Sequence, residues 1–439
     1  VIPMLNKIRI QNFKCLQDTK DIEIRPITFL VGPNSSGKSS IFQALLALKQ
    51  TVESSDQRSA LILQDYVDLG SYKDIFFKHD IKRDIIFDFE SIGPLKYSVT
   101  FSVQEEGKAP GRLFVKSFEF SAEEASNSNG ISYVPNKLNL IKSSKQKYTI
   151  EYEKNNNINK IPNINLKKFY IIIPEISKID DKYSALKKFL MIFAAYEEFR
   201  IISSFSLIKS NIEDIFHHIF HIGPLRHEPE RVYSASGAYP ESVGKYGQRT
   251  IDIILYEKKI KDKIKKWLEK FNISLKFSLE ELKKGSRRYE ALLKDYFTKT
   301  EVNLADVGFG TSQILPILVQ GFLSPSDAIL LLEQPEIHLH PKAQCTMGDL
   351  LVDIVKNANR KLIIETHSDL LIDRVCKHIL LKDSKISPDD IIIYYFDPSK
   401  EGTIIKPITI NENAQYENFP EGFFEERFEE AMHRAELMQ

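Results

Sequence analysis

The chain has 439 residues, 42% of them hydrophobic and 27% charged, which suits a large globular core. Lys+Arg and Asp+Glu both number 60, so the formal net charge is zero and no global field argues for nucleic-acid binding. Cys15, Cys345 and Cys376 stand far apart without a C-x-x-C pair, which argues against a disulfide framework; with no membrane-length apolar run and no signal-peptide pattern, a reducing, cytoplasmic setting is expected.

In chain order, Leu5 to Ile10 and Asp21 to Ile24 alternate as strands about a turn at Gln11–Cys15. Ile27 to Val31 is a short β-branched run that predicts a buried strand, and Ser39 to Lys49 has apolar residues at helical spacing. Between them, Gly32-Pro33-Asn34-Ser35-Ser36-Gly37-Lys38-Ser39, followed by Ser40, is a full match to G-x-x-x-x-G-K-[ST] in a strand–loop–helix setting. Gly32 and Gly37 let the backbone approach phosphate oxygens, while successive N–H groups and a helix N-terminus face the anion. Lys38 can reach the β/γ-phosphates, and the Ser39 hydroxyl can bind Mg²⁺.

Strand-like runs follow at Asp84–Glu90 and Lys96–Val103, near a polar–apolar alternation at Gln64–Gly70. Residues 104–182 turn rich in Asn, Lys, Ser and Gly, a composition that predicts loops in a peripheral insertion. Tyr183 to His221 reads as helical, and Ile251 to Phe271 as one amphipathic helix with a solvated lysine face. Ala328–Leu332, Lys361–Glu365 and Ile391–Phe396 read as strands, with a helix opened by Pro341 running to about Asn357. This alternation predicts an α/β fold with its site at the carboxyl ends of the strands.

The strand tips carry the chemistry. Glu333-Gln334-Pro335-Glu336 places carboxylate where a phosphate loop needs a Mg²⁺ partner. Thr366-His367-Ser368 ends the next strand, at the γ-phosphate edge. Asp306 to Gln313 is a Gly/Ser turn entering an apolar helix, a second phosphate-reading device that makes sense if it completes the site of another subunit. His338, His340 and Cys345 could supply three zinc ligands, but no fourth stands at a recognisable spacing.

The order NFK, GPNSSGKS, DVGFGTSQ, LLLEQPEIHLHP and ETHSD resembles the ABC-type ATPase heads of the RecF/SMC/OLD group. It is most similar to bacterial AAA-type ATPases with a C-terminal domain of unknown function, a type often found in antiphage defence. His221–Arg226, Val243-Gly244 and the tail Tyr416–Phe424 support that likeness. The resemblance implies a P-loop NTPase head with N-terminal antiparallel strands. Residues 1–103 and 221–380 would be its halves, 104–220 an insertion lobe and 381–439 an extension. It implies ATP and Mg²⁺ as cofactors. Gly32 to Ser39 would be Walker A, and Gly308, Gly310 and Ser312 would read a partner's nucleotide. Glu333 would be the Walker B carboxylate, Gln64 a Q-loop ligand, and His367 the switch histidine. Lys14, in the NFK turn, would approach the nucleotide. His338 and His340 would face the other subunit of an ATP-sandwiched homodimer, which could assemble further.

The chain departs from most such heads at Gln334, where the usual residue is a water-polarising glutamate. An amide can orient water but cannot take its proton, so either Glu336 acts as base or hydrolysis is slow. The resemblance points to an ATPase controlling a separate effector. A single acidic strand at Asp389–Phe396 is too little for a two-metal nuclease. Two alternatives stand beside it. One is a RecF-like DNA-associated ATPase using the lysine-rich stretches 142–168 and 257–285; the other is an ATP-gated scaffold with little hydrolysis.

Overall fold

A computed structural model describes residues 4–92, 95–105, 111–122, 137–143, 147–154, 157–174, 205–308, 310–356, 358–381, 383–418 and 420. The chain forms two compact units, each assembled from three separate segments. The first comprises Val1–Glu23, Ser39–His217 and Pro398–Ile404; the second comprises Ile24–Lys38, His218–Asp397 and Ile405–Gln439.

The first unit is an antiparallel sheet. Strand Leu5–Phe13 lies between Leu16–Asp18 and Ile85–Ser91 and also pairs with Ile22–Glu23. From Ile85–Ser91 the sheet continues hairpin by hairpin through Leu95–Gln104, Arg112–Ala122, Lys137–Lys142, Tyr148–Lys154, Asn157–Lys167 and Ile171–Pro174. Period-2 patterning sorts its faces. Phe87, Phe89, Tyr97, Val99, Phe101, Phe118 and Phe120 are buried, whereas Asp88, Glu90, Lys96 and Glu119 between them are not. Phe89 stacks on Tyr97 with centroids 5.0 Å apart, and Phe216, from the helical stretch 205–217, meets Phe89 edge-on at 5.6 Å.

Here the loop expectation for 104–182 is corrected: five of these strands fall within it. Alternating apolar residues in FVKSFEFS and cross-strand pairing outweigh the Asn/Ser/Gly composition. Most of the expected helix at 183–221 lies outside the described residues; 205–217 is helical and Ile219–Ile222 is a strand.

The second unit holds a mixed sheet in the order Ile219–Ile222, Ile329–Glu333, Lys361–Glu365, Ile27–Val31, Ile391–Ser399, Gly402–Ile410, Tyr416–Glu417. The first five are parallel, and the last pair is antiparallel. Strands Ile27–Val31 and Lys361–Glu365 are buried at every position, as a parallel sheet covered on both faces requires. Helices Gly310–Leu323, Pro341–Lys356 and Asp369–Lys377 share its core. The single helix expected from Ile251 to Phe271 is two, Thr250–Tyr256 and Lys261–Lys270, separated by a 3₁₀ turn. Trp267 anchors the second, donating its indole N–H to Asp353 at 3.0 Å. A smaller antiparallel sheet pairs Arg288–Asp295 with Ser274–Glu281, Tyr233–Ser234 and Glu301–Asn303.

Candidate nucleotide site

Register aligns the three strand tips. Glu333 pairs with Glu365, and Glu365 pairs with Leu30, two residues before Gly32. The phosphate loop, Glu333 and the Thr366–Ser368 segment thus leave one edge of one sheet, the crevice where α/β sheets bind ligands. Gly32 has φ +138°, and a Cβ there would stand 2.5 Å from the Phe396 carbonyl oxygen, so the residue is dictated by both backbone and space. Ser35 (φ +60°) and Gly37 (φ +99°) complete the tight path. The Lys38 ammonium is buried and donates to the carbonyls of Gly32 and Pro33 at 2.9 and 2.7 Å. Burial lowers its pKa, opposed by Glu365. Ser39 and Ser40 follow in the first turn of helix Lys38–Glu53.

Glu333 is half-buried, and its Oε1 lies 2.6 Å from His221 Nε2. Its main-chain carbonyl accepts from Arg226 Nη2 at 2.9 Å, while Arg226 Nη1 donates to Gln313 Oε1 at 3.2 Å. Burial brings the Arg226 pKa down to about 10, against the pull of Glu336 and Glu333; the guanidinium stays charged at neutral pH. Gln334 has φ +44° and donates its N–H to the Glu365 carbonyl at 2.7 Å. Glu336 is buried at 8% exposure, and its Oε1 accepts the His367 N–H at 2.9 Å. Burial raises its pKa, opposed by that N–H and by Arg226. His367 is held below its usual pKa by desolvation and by the Lys38 ammonium. Ser368 caps helix Asp369–Lys377 through the Leu371 N–H and donates its hydroxyl to Gln344.

The Asp306–Gln313 stretch is more helical than a turn. Helix Gly310–Leu323 begins inside it, placing Ser312, which is buried, in its first turn. Gly308 is exposed with open space around its Cα. A Cβ on Gly310 would meet Leu339 at 3.4 Å and the His338 carbonyl at 3.7 Å. Phe309 lies outside the described residues.

Lys14 and Gln64 belong to the first unit. Lys14 has φ +54°, donates its N–H to Ile75 at 2.8 Å, and burial lowers its pKa. Gln64 is exposed and makes a backbone bridge with Asp68. His338 and His340 are exposed, His338 at φ +61°. Among the described residues no three His, Cys, Asp or Glu side chains gather as a metal set, which argues against the zinc alternative for His338, His340 and Cys345. The strand-tip carboxylate of Glu333 is a hard oxygen donor of the kind that fits Mg²⁺ beside nucleotide phosphates. The sequence reading gave no role to His221 or Arg226. His221 had a signal, a polar residue inside the otherwise apolar strand Ile219–Ile222 beside the Glu333 strand; Arg226, beyond the end of that strand, had none.

A phosphate loop, a strand-tip carboxylate and a strand-tip histidine on one parallel sheet define a P-loop nucleotide-binding ATPase. Residues 4–372 match the AAA ATPase domain, and the chain belongs to that family. Residues 386–433 match a protein family of unknown function, DUF3696; of the expected tail motif, Phe419 and residues 421–424 lie outside the described residues. The chain is 36% identical over 72 residues to the OLD nuclease of Thermus scotoductus, spanning 16% of this chain and only 13% of that protein. Among solved structures it is similar to the SMC head domain from Thermotoga maritima, with a TM-score of 0.38 and 11% identity over 92% of this chain and 98% of the other. It is also similar to the Pyrococcus furiosus Smc head bound to the C-terminal domain of ScpA, with a TM-score of 0.41 and 11% identity over 100% of both chains. Among the described residues no helix is long and apolar enough to cross a membrane.

Proposed function

We propose that two copies of this chain close head to tail around two ATP molecules and hydrolyse them slowly, using the cycle to control a separate effector. The alignment of Leu30, Glu333 and Glu365 in one register carries this reading, because it supplies phosphate-binding, metal-binding and γ-phosphate-sensing groups along one edge. Gly32–Ser39 and Lys38 would hold the phosphates of one ATP, and Gly308, Gly310 and Ser312 would close over the ATP of the other subunit. Ser39 and Glu333 would hold Mg²⁺, which when bound draws electron density from the phosphate oxygens. Water would attack the γ-phosphorus as the bond to the β–γ bridging oxygen breaks, its proton passing to an oxygen of the departing phosphate, and ADP and phosphate would leave. Gln334 orients that water but cannot take its proton, and buried Glu336 braces His367. Slow turnover follows, with long-lived ATP-bound dimers.

A separate effector fits the acidic strand. Asp390 caps its own 3₁₀ turn by accepting from Ser387 N and Oγ at 2.7 and 2.8 Å, and the strand after it serves the parallel sheet. A place in antiphage defence is supported by the family resemblance of the motifs alone. A second reading, nucleic-acid binding, is supported by the exposed Lys258, Lys259, Lys261, Lys263, Lys265, Lys266 and Lys270 on and beside helix Lys261–Lys270. Two of these are partly occupied, Lys263 over Phe322 and Lys270 over Trp267.

Phosphate release and solution mass, each measured with and without ATP, Mg²⁺ and duplex DNA, test these readings together. ATP-dependent doubling of mass with slow turnover is expected. The absence of both ATP binding and a mass change would overturn the sandwich. Salt-sensitive DNA binding that stimulates turnover would favour the second reading.

A further inference from the structure

Arg226 follows Leu225, which is 67% exposed, yet is itself only 4% exposed. Burying a guanidinium is costly unless it is well paired, and the two acceptors it bonds are neutral: Gln313 Oε1 and the Glu333 carbonyl. The carboxylates of Glu336 and Glu333 steady it only through space. These two acceptors sit on different elements. Gln313 is in the first turn of helix Gly310–Leu323, one residue after Ser312, and Glu333 is the last residue of its strand.

The Glu333 carbonyl and the Gln334 N–H belong to one planar peptide unit. Its oxygen accepts from Arg226 at 2.9 Å, and its N–H donates to the Glu365 carbonyl at 2.7 Å. That plane is pinned from both sides, immediately before a residue held at φ +44°. Left-handed backbone is uncommon for glutamine and persists only where its surroundings enforce it. Arg226 is one of the two groups that enforce it.

We propose that Arg226 is a positioning residue that couples the Gly310–Leu323 helix to the Glu333–Gln334 peptide. Closure of a second subunit on Gly310 and Ser312, at the start of helix Gly310–Leu323, moves Gln313, and the guanidinium passes that movement to the peptide that aims Gln334. The coupling rests on the ATP-sandwich reading and adds to it the route by which dimer closure sets hydrolysis.

The test uses the full chain with Gln313→Ala, Arg226→Lys and the double variant. Lysine keeps the charge but cannot donate along two fixed directions. Folding is checked by circular dichroism and thermal melting. Equilibrium affinity for ATP is measured alongside kcat, KM and ATP-dependent mass. Gln313→Ala and Arg226→Lys are each expected to bind ATP and dimerise as the parent does. Their kcat should fall roughly tenfold to a hundredfold, the size of loss a small misplacement causes, with KM unchanged. The double variant should fall no further than the worse single variant. Should Arg226→Lys not fold, Gln313→Ala decides alone, because it leaves the arginine in place. Parent-like kcat in folded Gln313→Ala, or multiplicative losses in the double variant, would overturn the coupling. A parent chain that neither binds ATP nor dimerises would instead sink the sandwich reading.

Discussion

The buried carboxylate of Glu336 accepts the main-chain N–H of His367 at 2.9 Å, joining the turn after the Glu333 strand to the turn after the Glu365 strand. Its pKa is raised by burial, so the folded chain holds the proton more tightly than the unfolded chain does. The penalty for burying the charge is therefore present at neutral pH. It is relieved as pH falls through the raised value toward the ordinary carboxyl range. Glu336→Gln should be at least as stable as the parent at pH 7.5, and that advantage should shrink as the pH is lowered toward the ordinary carboxyl range. Denaturant melts across that range check it; an advantage that grows on acidification would contradict the burial account. Glu336→Ala, which orphans the His367 N–H, should cost ~1–3 kcal/mol.

In the proposed function, Gln334 takes the position where a carboxylate would activate water. Gln334→Glu should raise the rate of phosphate release by roughly a hundredfold or more if base catalysis is the missing contribution. A fall in rate would show that this position does not face the attacking water.

His221 holds one oxygen of Glu333 at 2.6 Å. Partners behind a metal-binding carboxylate commonly contribute about 10–100-fold in metal affinity. His221→Ala should therefore shift half-saturation by Mg²⁺, read from ATP binding against Mg²⁺ concentration, by about that factor. An unchanged Mg²⁺ dependence would confine His221 to packing.

Lys38 is buried and bonded to the Gly32 and Pro33 carbonyls, so it can order the loop as well as meet phosphate. Lys38→Ala should lose ~10–100-fold in ATP affinity, from the ~1.5–3 kcal/mol typical of a charged hydrogen bond. Equilibrium binding of ATP measures it, and parent-like affinity would remove Lys38 from the phosphate site.

Much of the second unit could be read from the chain, because its strands are buried on both faces and announce themselves as unbroken apolar runs. ITFLV, ILLLE and KLIIE have this pattern, and the residues at their ends follow. The first unit was harder. Its outer hairpins gain stability from cross-strand partners far along the chain, so Asn- and Lys-rich segments such as Asn157–Lys167 look like loops alone and become strands only when paired. Arg226 was invisible for a related reason. No local pattern distinguishes an arginine in solvent from one buried between a helix and a strand a hundred residues away.

The Ile27–Val31 strand occupies the middle of its sheet, yet its two neighbours begin at Lys361 and Ile391. At about 5–20 residues per second of synthesis, this apolar segment emerges from the ribosome on the order of half a minute before either partner exists. The strand before the phosphate loop therefore gains both of its neighbours only once Ile391–Ser399 has been made. Until then the complete Walker motif follows an apolar strand with neither neighbour in place, the kind of unpaired segment that is prone to aggregate during synthesis.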